Sequence, residues 1–343
     1  MKRLALYFTA PHEVSVREES LPPPAAGQVL VHTIVSAISA GTELLFYRGQ
    51  MPDDISVDET ISALAGNYSF PLKYGYAAVG RVTEVGEGVD QEWRGKIVFT
   101  FHPHESSFLI SPDELMPVPP GLSPEEASLL PNMETSVNFL MDGQPLIGEQ
   151  VAVLGQGVVG LLTTALLAKL PLSSLVTLDS YSLRRRKSLA LGAQASLDPE
   201  SPGAADRLAS LLRKESPYAG ADLTYELSGN PDALEKAIEV TGFNGRIVIG
   251  SCYGQKQVTS NLGARFHRSR IRLISSQVST IAPEWTGRWT KARRLQTAWQ
   301  MLAHLKPAHL ITHRFPVARA AQAYALLDEH PEEAIQVILT YES

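Results

Sequence analysis

From residue 145 onward the chain alternates short apolar runs with stretches whose apolar residues recur at helical spacing. The runs 150–154, 175–179, 223–227, 246–251 and 270–276 predict strands, and 158–169, 182–191, 204–214 and 231–240 predict the helices between them. This is α/β order, and it predicts a doubly wound parallel sheet covered by helices on both faces. The texture before residue 120 is different. Strand-like alternation at 5–9, 13–18, 28–37, 76–85 and 96–101 is broken by Pro22-Pro23-Pro24, Gly27 and Gly86-Glu87-Gly88, which predicts short strands joined by turns. Residues 49–70 are polar and turn-rich, a loop with a short helix. Ser123 is placed to cap a helix from Pro124, with Glu125 and Glu126 in its first turn, and a second helix follows at 135–142. The tail reads as helix 291–304, strand 311–315, helix 318–329 and strand 334–340. No internal repeat or low-complexity segment interrupts this order.

The stretch from Val151 to Gly160 carries the clearest chemical signal. An apolar strand runs straight into Gly155-Gln156-Gly157-Val158-Val159-Gly160, and a helix-like apolar stretch follows. The three glycines have separate roles in a dinucleotide site. Gly155 makes the tight turn, Gly157 lets the backbone approach a pyrophosphate, and Gly160 lets helix and strand pack closely. Val158 and Val159 open the helix, whose free N–H groups and positive dipole end face the phosphates. Asp179 ends the next strand, 19 residues after Gly160, where a carboxylate accepts from the adenosine ribose hydroxyls. A purely structural glycine turn is the competing reading, and the strand–glycines–helix–strand–acid order argues against it. Asp179 favours NAD(H) over NADP(H), because it repels a 2′-phosphate. Arg184, Arg185 and Arg186 read either as phosphate ligands turned inward or as a solvated helix face.

Composition narrows the classes of partner. With 343 residues the chain can bury a substantial core, 44% of residues are hydrophobic, and 19% are charged. A net charge of −6 gives no argument for nucleic acid or an anionic membrane surface. The apolar run near Met1 is too short for a signal peptide, and no run approaches the roughly 20 residues of a membrane span, so a cytoplasmic protein is expected. The lone Cys252 excludes an intramolecular disulfide and a thiolate-rich zinc lobe.

The order of motifs over nearly the whole chain resembles the medium-chain dehydrogenase/reductase superfamily. Its anchors are Gly41-Thr42-Glu43, Gly75-Tyr76-Ala77-Ala78-Val79-Gly80 with Val85-Gly86, Gly148-Glu149, Leu191-Gly192-Ala193 and the run from Leu310 to Pro316. The resemblance implies a GroES-like, strand-rich catalytic domain built from both chain ends, 1–130 and 279–343, around a Rossmann domain at 131–278. It also implies an active cleft between the two and a homodimer joined through the edge strand at 270–276. In the family, Thr135, Ser228-Gly229 and Ile249-Gly250-Ser251 would hold the cofactor. The run from Ser36 to Pro52 is locally similar to bacteriochlorophyllide dehydrogenases, which oxidise a hydroxyethyl side chain.

The chain departs from the zinc-dependent members at their metal ligands. Their Cys-Gly-x-Asp reads Ala40-Gly41-Thr42-Glu43 here, their Gly-His-Glu reads Gly75-Tyr76-Ala77, and the third ligand position falls near Pro131. None of these is a good zinc ligand, so no zinc is expected, and a side chain must move the proton that accompanies the hydride. Thr42 matches the family's hydroxyl relay, or is a turn threonine. Tyr76 aims its phenol into the vacated metal position, or fills it. His102 and His104 act as acid/base or substrate-binding groups, or as loop histidines, or join Glu105 in a replacement metal site. Glu134 faces the cleft or is a helix-end charge. Trp285 and Trp289 cover a bulky or aromatic small-molecule substrate, or belong to a subunit interface. These residues point to hydride transfer between a nicotinamide and a secondary alcohol or ketone. An NADPH-dependent enoyl or quinone reductase and a non-catalytic nucleotide-binding protein are the alternatives.

Overall fold

A computed structural model describes residues 1–52, 61–64, 66, 68–212 and 219–342. The chain divides into two compact units, one of Met1–Pro131 with Trp299–Ser343 and one of Asn132–Ala298. In chain order the first unit holds β1 (Lys2–Ala10), β2 (Glu13–Ser20), β3 (Val29–Ile38), α1 (Ala40–Tyr47), β4 (Ala78–Val85), β5 (Ile97–Thr100), β6 (Ser107–Ile110), β7 (Met116–Pro117) and α2 (Pro124–Ala127). The first boundary falls within α3 (Leu130–Gly143). The second unit continues with β8 (Gln150–Leu154), α4 (Val158–Leu167), β9 (Ser174–Leu178), α5 (Ser182–Ala190), β10 (Ala195–Leu197), α6 (Ala204–Leu211), β11 (Ala221–Glu226), α7 (Ala233–Val240), β12 (Thr241–Ile249) and β13 (Arg272–Ser275). After α8 (Lys291–Leu305), the tail adds β14 (Ile311–Pro316), α9 (Ala320–Glu329) and β15 (Gln336–Thr340) to the first unit.

In the first unit β3 is the strand on which the others register. Among the described residues its sheet runs β14-β15-β3-β4-β5-β7, with β6 also paired to β3. Val29–His32 face both β4 and β6, whereas Val35–Ile38 face β15. The last strand of the chain therefore closes the sheet that the third strand begins. Phe8, Phe46, Tyr47, Tyr74 and Tyr324 form an aromatic core against Leu44, Leu45 and Val337. Phe8 stands edge-on to Tyr324 at 5.2 Å, a geometry suited to the ring quadrupoles.

The second unit is a parallel sheet of order β10-β9-β8-β11-β12-β13 among the described residues, the doubly wound arrangement with the sequence-first strand β8 at its centre. Alternate residues of β8 bury on opposite faces. Ala152 and Leu154 pack with α6 and α7 through Leu208, Leu234 and Ile238, while Val151 and Val153 pack with Phe139 and Tyr225. The α/β class and the paired fold expected from the sequence are what is found. α1 and β6 were not expected. Gly41 sits inside the eight-residue α1, and β6 is four residues long, too short for either periodicity to show. The expected loop at 49–70 lies partly outside the described residues, and within them it holds a short helix at Ser62–Leu64; the expected helix end at 213–214 lies outside the described residues.

A half-buried ion network ties β1 and β2 to the strand-free segment around Lys73. Arg3 binds Glu19 at 2.8 Å and Glu105 at 2.7 Å, Lys73 binds the same two acids at 2.9 and 2.6 Å, and the Tyr7 hydroxyl donates to Glu19. Burial alone would raise the Glu19 carboxyl, but hydrogen bonds from Tyr7, Lys73 and Arg3 outweigh it and hold the group down at about 2. A depressed acid stabilises the folded state above its unfolded value and loses that contribution as pH falls through its folded value. The stability that Glu19 provides, on the order of 3 kcal/mol, should therefore disappear between about pH 4.5 and 2. Urea unfolding across this range should show a flatter acid limb for Glu19→Gln than for the unaltered chain.

Candidate active site and nucleotide turn

At the end of β3 the backbone turns at Ser39 into α1, and this turn places three hydroxyl groups together. Ser39 is the N-cap residue, yet its side chain makes no capping bond. The Tyr76 phenol, from the extended segment before β4, donates to Ser39 Oγ and lies 3.4 Å from Thr42 Oγ1. All three residues are half-buried. The structure thus brings Thr42 and Tyr76 together.

Beneath them lies a network that sequence reasoning missed. Glu43 is fully buried in the first turn of α1; its Oε1 accepts from the Ser39 amide at 2.7 Å. Its Oε2 accepts from the Tyr324 hydroxyl and meets His104 Nε2 at 3.0 Å. His104 Nδ1 lies 2.6 Å from Ser36 Oγ, which in turn lies 2.7 Å from the Tyr341 hydroxyl. Burial, followed by the charge of Glu43, pushes the Tyr324 hydroxyl well above its ordinary range, so it remains a donor. His104 is itself 0% exposed, with both ring nitrogens engaged inside this network. His102 stands apart. Its ring stacks on Phe108 at 3.9 Å, and burial, only partly offset by the bond to the Pro103 carbonyl, pushes it down to about 4. Neutral near pH 7, it can accept a proton only weakly.

The resemblance sets Ala40 and Tyr76 at metal-ligand positions of the zinc-dependent members. Ala40 has no ligand atom, and the Tyr76 phenol is turned to Ser39 and Thr42. Among the described residues, the side chains that group as three possible ligands are His330, Glu332 and Glu333, all exposed, beyond α9.

In the second unit the glycines behave as three different parts. Gly155 has φ +90°, and a Cβ there would lie 2.6 Å from the Ser228 backbone. A Cβ on Gly160 would lie 2.0 Å from the Gly155 carbonyl oxygen, so the helix can approach the turn only without one. Gly157 caps α4 with nothing within 4 Å of its would-be Cβ, open space at the helix N-terminus. Val158 and Val159, both half-buried, follow it. Gln156, fully buried between Gly155 and Gly157, donates to the Gly155 carbonyl at 3.0 Å and accepts from Thr164 at 3.0 Å, which fixes the turn from inside. The Asp179 carboxylate accepts from the amides of Gln156 at 2.7 Å and Tyr181 at 2.8 Å.

Gly155, Gly157, Asp179, Arg184 and Ser228 line one cavity of about 320 Å³. Arg184 stacks over the Tyr181 ring at 4.7 Å. The loops after β11 and β12 are joined around a second buried acid, Glu226, which accepts from the Ser228 amide at 2.8 Å, the Ser228 hydroxyl and the Tyr253 hydroxyl. Gly229 donates to Ser251 Oγ at 2.8 Å, and Gly250, next to Ile249, has no room for a Cβ beside Phe139. Thr135 lies half-buried in α3. Its neighbour Glu134 is engaged by Arg294 at 2.9 Å, with both side chains buried. Burial raises the Glu134 carboxyl, and Arg294 opposes the rise. Arg294 also donates to Asn138 and to the carbonyls of Val278 and Thr280. Trp285 is half-buried under the Arg288 guanidinium, 4.6 Å from its centroid, and Trp289 lies under Arg293.

The acids and Ser39 were hidden from sequence reasoning for different reasons. Glu226 ends β11 as one acid in a mixed apolar and polar strand, and no spacing singles it out. Ser39 and Glu43 stand four residues apart, one more than the capping-box spacing, so the pair did not mark the helix start.

Comparison with known proteins places this geometry. No family model matches the chain. It is 24% identical to the D-guloside 3-dehydrogenase of Escherichia coli K12, over 99% of this chain and 100% of that protein. It is 26% identical to the 2-desacetyl-2-hydroxyethyl bacteriochlorophyllide A dehydrogenase of Cereibacter sphaeroides, over 99% of each chain. An E. coli alcohol dehydrogenase complexed with NADH shares the fold at TM-score 0.77 and 18% identity, and a Sinorhizobium meliloti dehydrogenase bound to NADP at 0.76 and 17%, each over 99% of both chains. Fold and relatives together define an oxidoreductase of the dehydrogenase type. The chain is similar over nearly its whole length to dehydrogenases, with bacteriochlorophyllide dehydrogenase among these relatives as the local resemblance implied.

The glycine geometry gives a contrast that unfolding can measure. Gly160→Ala drives a methyl into a backbone carbonyl and should cost about 3 kcal/mol. Gly157→Ala, into open space with an ordinary φ, should cost less than about 1 kcal/mol, the loss of a permissive N-cap. Equal costs in urea melts would contradict the assigned packing.

Proposed function

We propose that this chain moves a hydride between a nicotinamide cofactor and a secondary alcohol or ketone without catalytic zinc, with NAD(H) preferred over NADP(H). The single observation that supports the zinc-free part is the meeting of Thr42 with the phenol of Tyr76, the residue that stands in the motif position of a zinc-binding histidine. The relatives support the substrate class, since one is a 3-dehydrogenase of a guloside and the other acts on a hydroxyethyl compound. The preference for NAD(H) is supported by Asp179, whose carboxylate lines the cavity beside the glycine turn.

The residues present fit a dinucleotide. The open space at Gly157 and the first amides of α4, at Val158 and Val159, suit a pyrophosphate. Asp179 suits the ribose diol, with Arg184 alongside. Ser228, Gly229, Ile249, Gly250, Ser251 and Thr135 suit the rest of the cofactor. When bound, the nicotinamide supplies the hydride acceptor or donor. The chain's own part is the proton. In oxidation, which needs Tyr76 as its phenolate, the hydroxyl proton passes to Thr42 Oγ1 as the C–H bond breaks, and Thr42 hands its own proton to the phenolate oxygen, leaving the phenol. In reduction, the Tyr76 phenol is the source and Thr42 delivers the proton to the forming alkoxide. We assign His104, with Glu43, to holding α1 and its hydroxyls in place, and Glu134 to the Arg294 clamp. His102 then shapes the substrate's surroundings. The edge position of β13, with Leu273 exposed, suits a homodimer.

Titration with NADH and NADPH followed by nicotinamide fluorescence is the first measurement. NADH should bind more tightly, and Gly157→Ala should lose binding while remaining folded. With a ketone that turns over, Tyr76→Phe and Thr42→Val should each lower kcat by about 10²-fold, in protein free of zinc by elemental analysis. Preference for NADPH with turnover of an enone would support the reductase alternative, binding without turnover on a broad panel the non-catalytic one. Activity restored only by added zinc would end the zinc-free reading.

A further inference from the structure

We propose that Ser39 is a third member of the proton-handling set, a positioning residue that orients the Tyr76 phenol and governs its ionisation. The inference rests on the reading of Tyr76 as the acid/base group, and it begins from a helix cap that is not made. A serine at an N-cap ordinarily accepts from the amide two or three residues on, a bond worth about 1 kcal/mol. Ser39 occupies the N-cap of α1 and leaves that bond unmade. The helix start is held in other ways: the Ser39 carbonyl accepts from the amides of Thr42 at 3.0 Å and Glu43 at 2.8 Å, and Glu43 Oε1 reaches back to the Ser39 amide at 2.7 Å. With its backbone fixed by Glu43, the Ser39 hydroxyl is released from the helix and receives the phenol of Tyr76 instead.

Glu43 is fixed in turn by His104, Tyr324 and the Ser39 amide, all placed by different strands and helices. The position of Ser39 Oγ is therefore set by the buried core and not by solvent. The arrangement has a chemical consequence. A hydroxyl both donates and accepts. While the phenol is neutral it donates to Ser39; once it has lost its proton to water, Ser39 and Thr42 can rotate to donate to the phenolate. Two donors aimed at a developing oxyanion stabilise it, which lowers the free energy of ionisation. The ionisable groups placed around this point are Tyr74, whose ring stands edge-on at 6.0 Å, and Glu43 with His104 and Tyr324 behind the Ser39 amide. The Glu43 side opposes a phenolate, so the hydroxyl donors are what favour it.

The test uses the full chain with ¹³Cζ-labelled tyrosine, titrated by NMR, with the Tyr76 signal identified by its loss in Tyr76→Phe. No substrate is required. Ser39→Ala should raise the Tyr76 midpoint by about one pH unit, the loss of one charge-assisted hydrogen bond. The same variant should melt within about 2 °C of the unaltered chain, because no cap is lost. Ser39→Thr, which keeps the hydroxyl, should restore the midpoint. An unchanged midpoint in Ser39→Ala, or a Tyr76 signal that does not titrate by pH 11 in either protein, overturns the proposal. So does a fall of several degrees in melting temperature without a shift, which would make Ser39 an ordinary cap. Failure of the dehydrogenase reading would instead appear as absent NADH binding in the unaltered chain, a result independent of the Tyr76 titration.

Discussion

A carboxyl group placed out of reach of water is the constraint on which the first unit is built. Glu43 is fully buried, and a buried polar group left unpaired costs about 1–3 kcal/mol. Its partners come from far apart in the chain: Ser39 at the α1 turn, His104 between β5 and β6, Tyr324 in α9, and, through Ser36, Tyr341 just after β15. Satisfying one acid therefore requires the N-terminal strands and the C-terminal tail to form one sheet in one register. The network also dictates a residue that seemed to belong to a motif alone. Gly75 has φ +117°, and a Cβ there would lie 2.6 Å from the His104 ring. The glycine beside Tyr76 is thus needed for the histidine behind it, and the phenol's placement follows from that packing.

The second unit uses the same device at its loops. Asp179 and Glu226 sit at or near strand ends, and each spends its oxygens on amides or hydroxyls of the turn beside it. Arg294 does the reciprocal work, a buried cation holding Glu134, Asn138 and two carbonyls of the 278–280 segment. Such groups contribute little net stability as pairs, but removing one partner strands the other. Their effect is to give each loop one position, which a site for a flexible dinucleotide needs more than it needs extra stability.

What could be read from the sequence divides along the same line. The glycine turn was legible because its constraints are local: Gly160 answers to the Gly155 carbonyl and Gly157 caps the helix that follows, while only the approach of Gly155 to Ser228 reaches far along the chain. The alternation of strands and helices was legible because burial on both faces of a parallel sheet leaves continuous apolar runs. Thr42 and Tyr76 could be named from motif positions, yet their meeting could not. The Glu43 network was illegible, since its members are separated by between 4 and 305 positions and none carries a pattern of its own. His104 shows the limit most clearly. A histidine beside another histidine and an acid looks like a site in one dimension, and in three it is enclosed by Ser36, Glu43 and the absent side chain of Gly75.

On the zinc-free reading, the exchange of a metal for hydroxyls constrains the chemistry that remains. A bound metal polarises the substrate oxygen by several kcal/mol without a proton being moved. A positioned acid or base contributes a factor of about 10² to 10⁴, equivalent to roughly 3–5 kcal/mol. On the zinc-free reading the difference has to come from how the substrate is held, or from a preferred direction. The geometry bears on the direction. The Tyr76 phenol is a donor, pointed at Ser39 with Thr42 alongside, which is the protonation state that turns a carbonyl oxygen into a hydroxyl. Oxidation needs the opposite state, a phenolate, and so gains with rising pH until the phenol has ionised. On the proposed reading of Tyr76 as the acid/base group, such a chain should run as a ketone reductase over most of the neutral range, and as an alcohol dehydrogenase chiefly on its alkaline side.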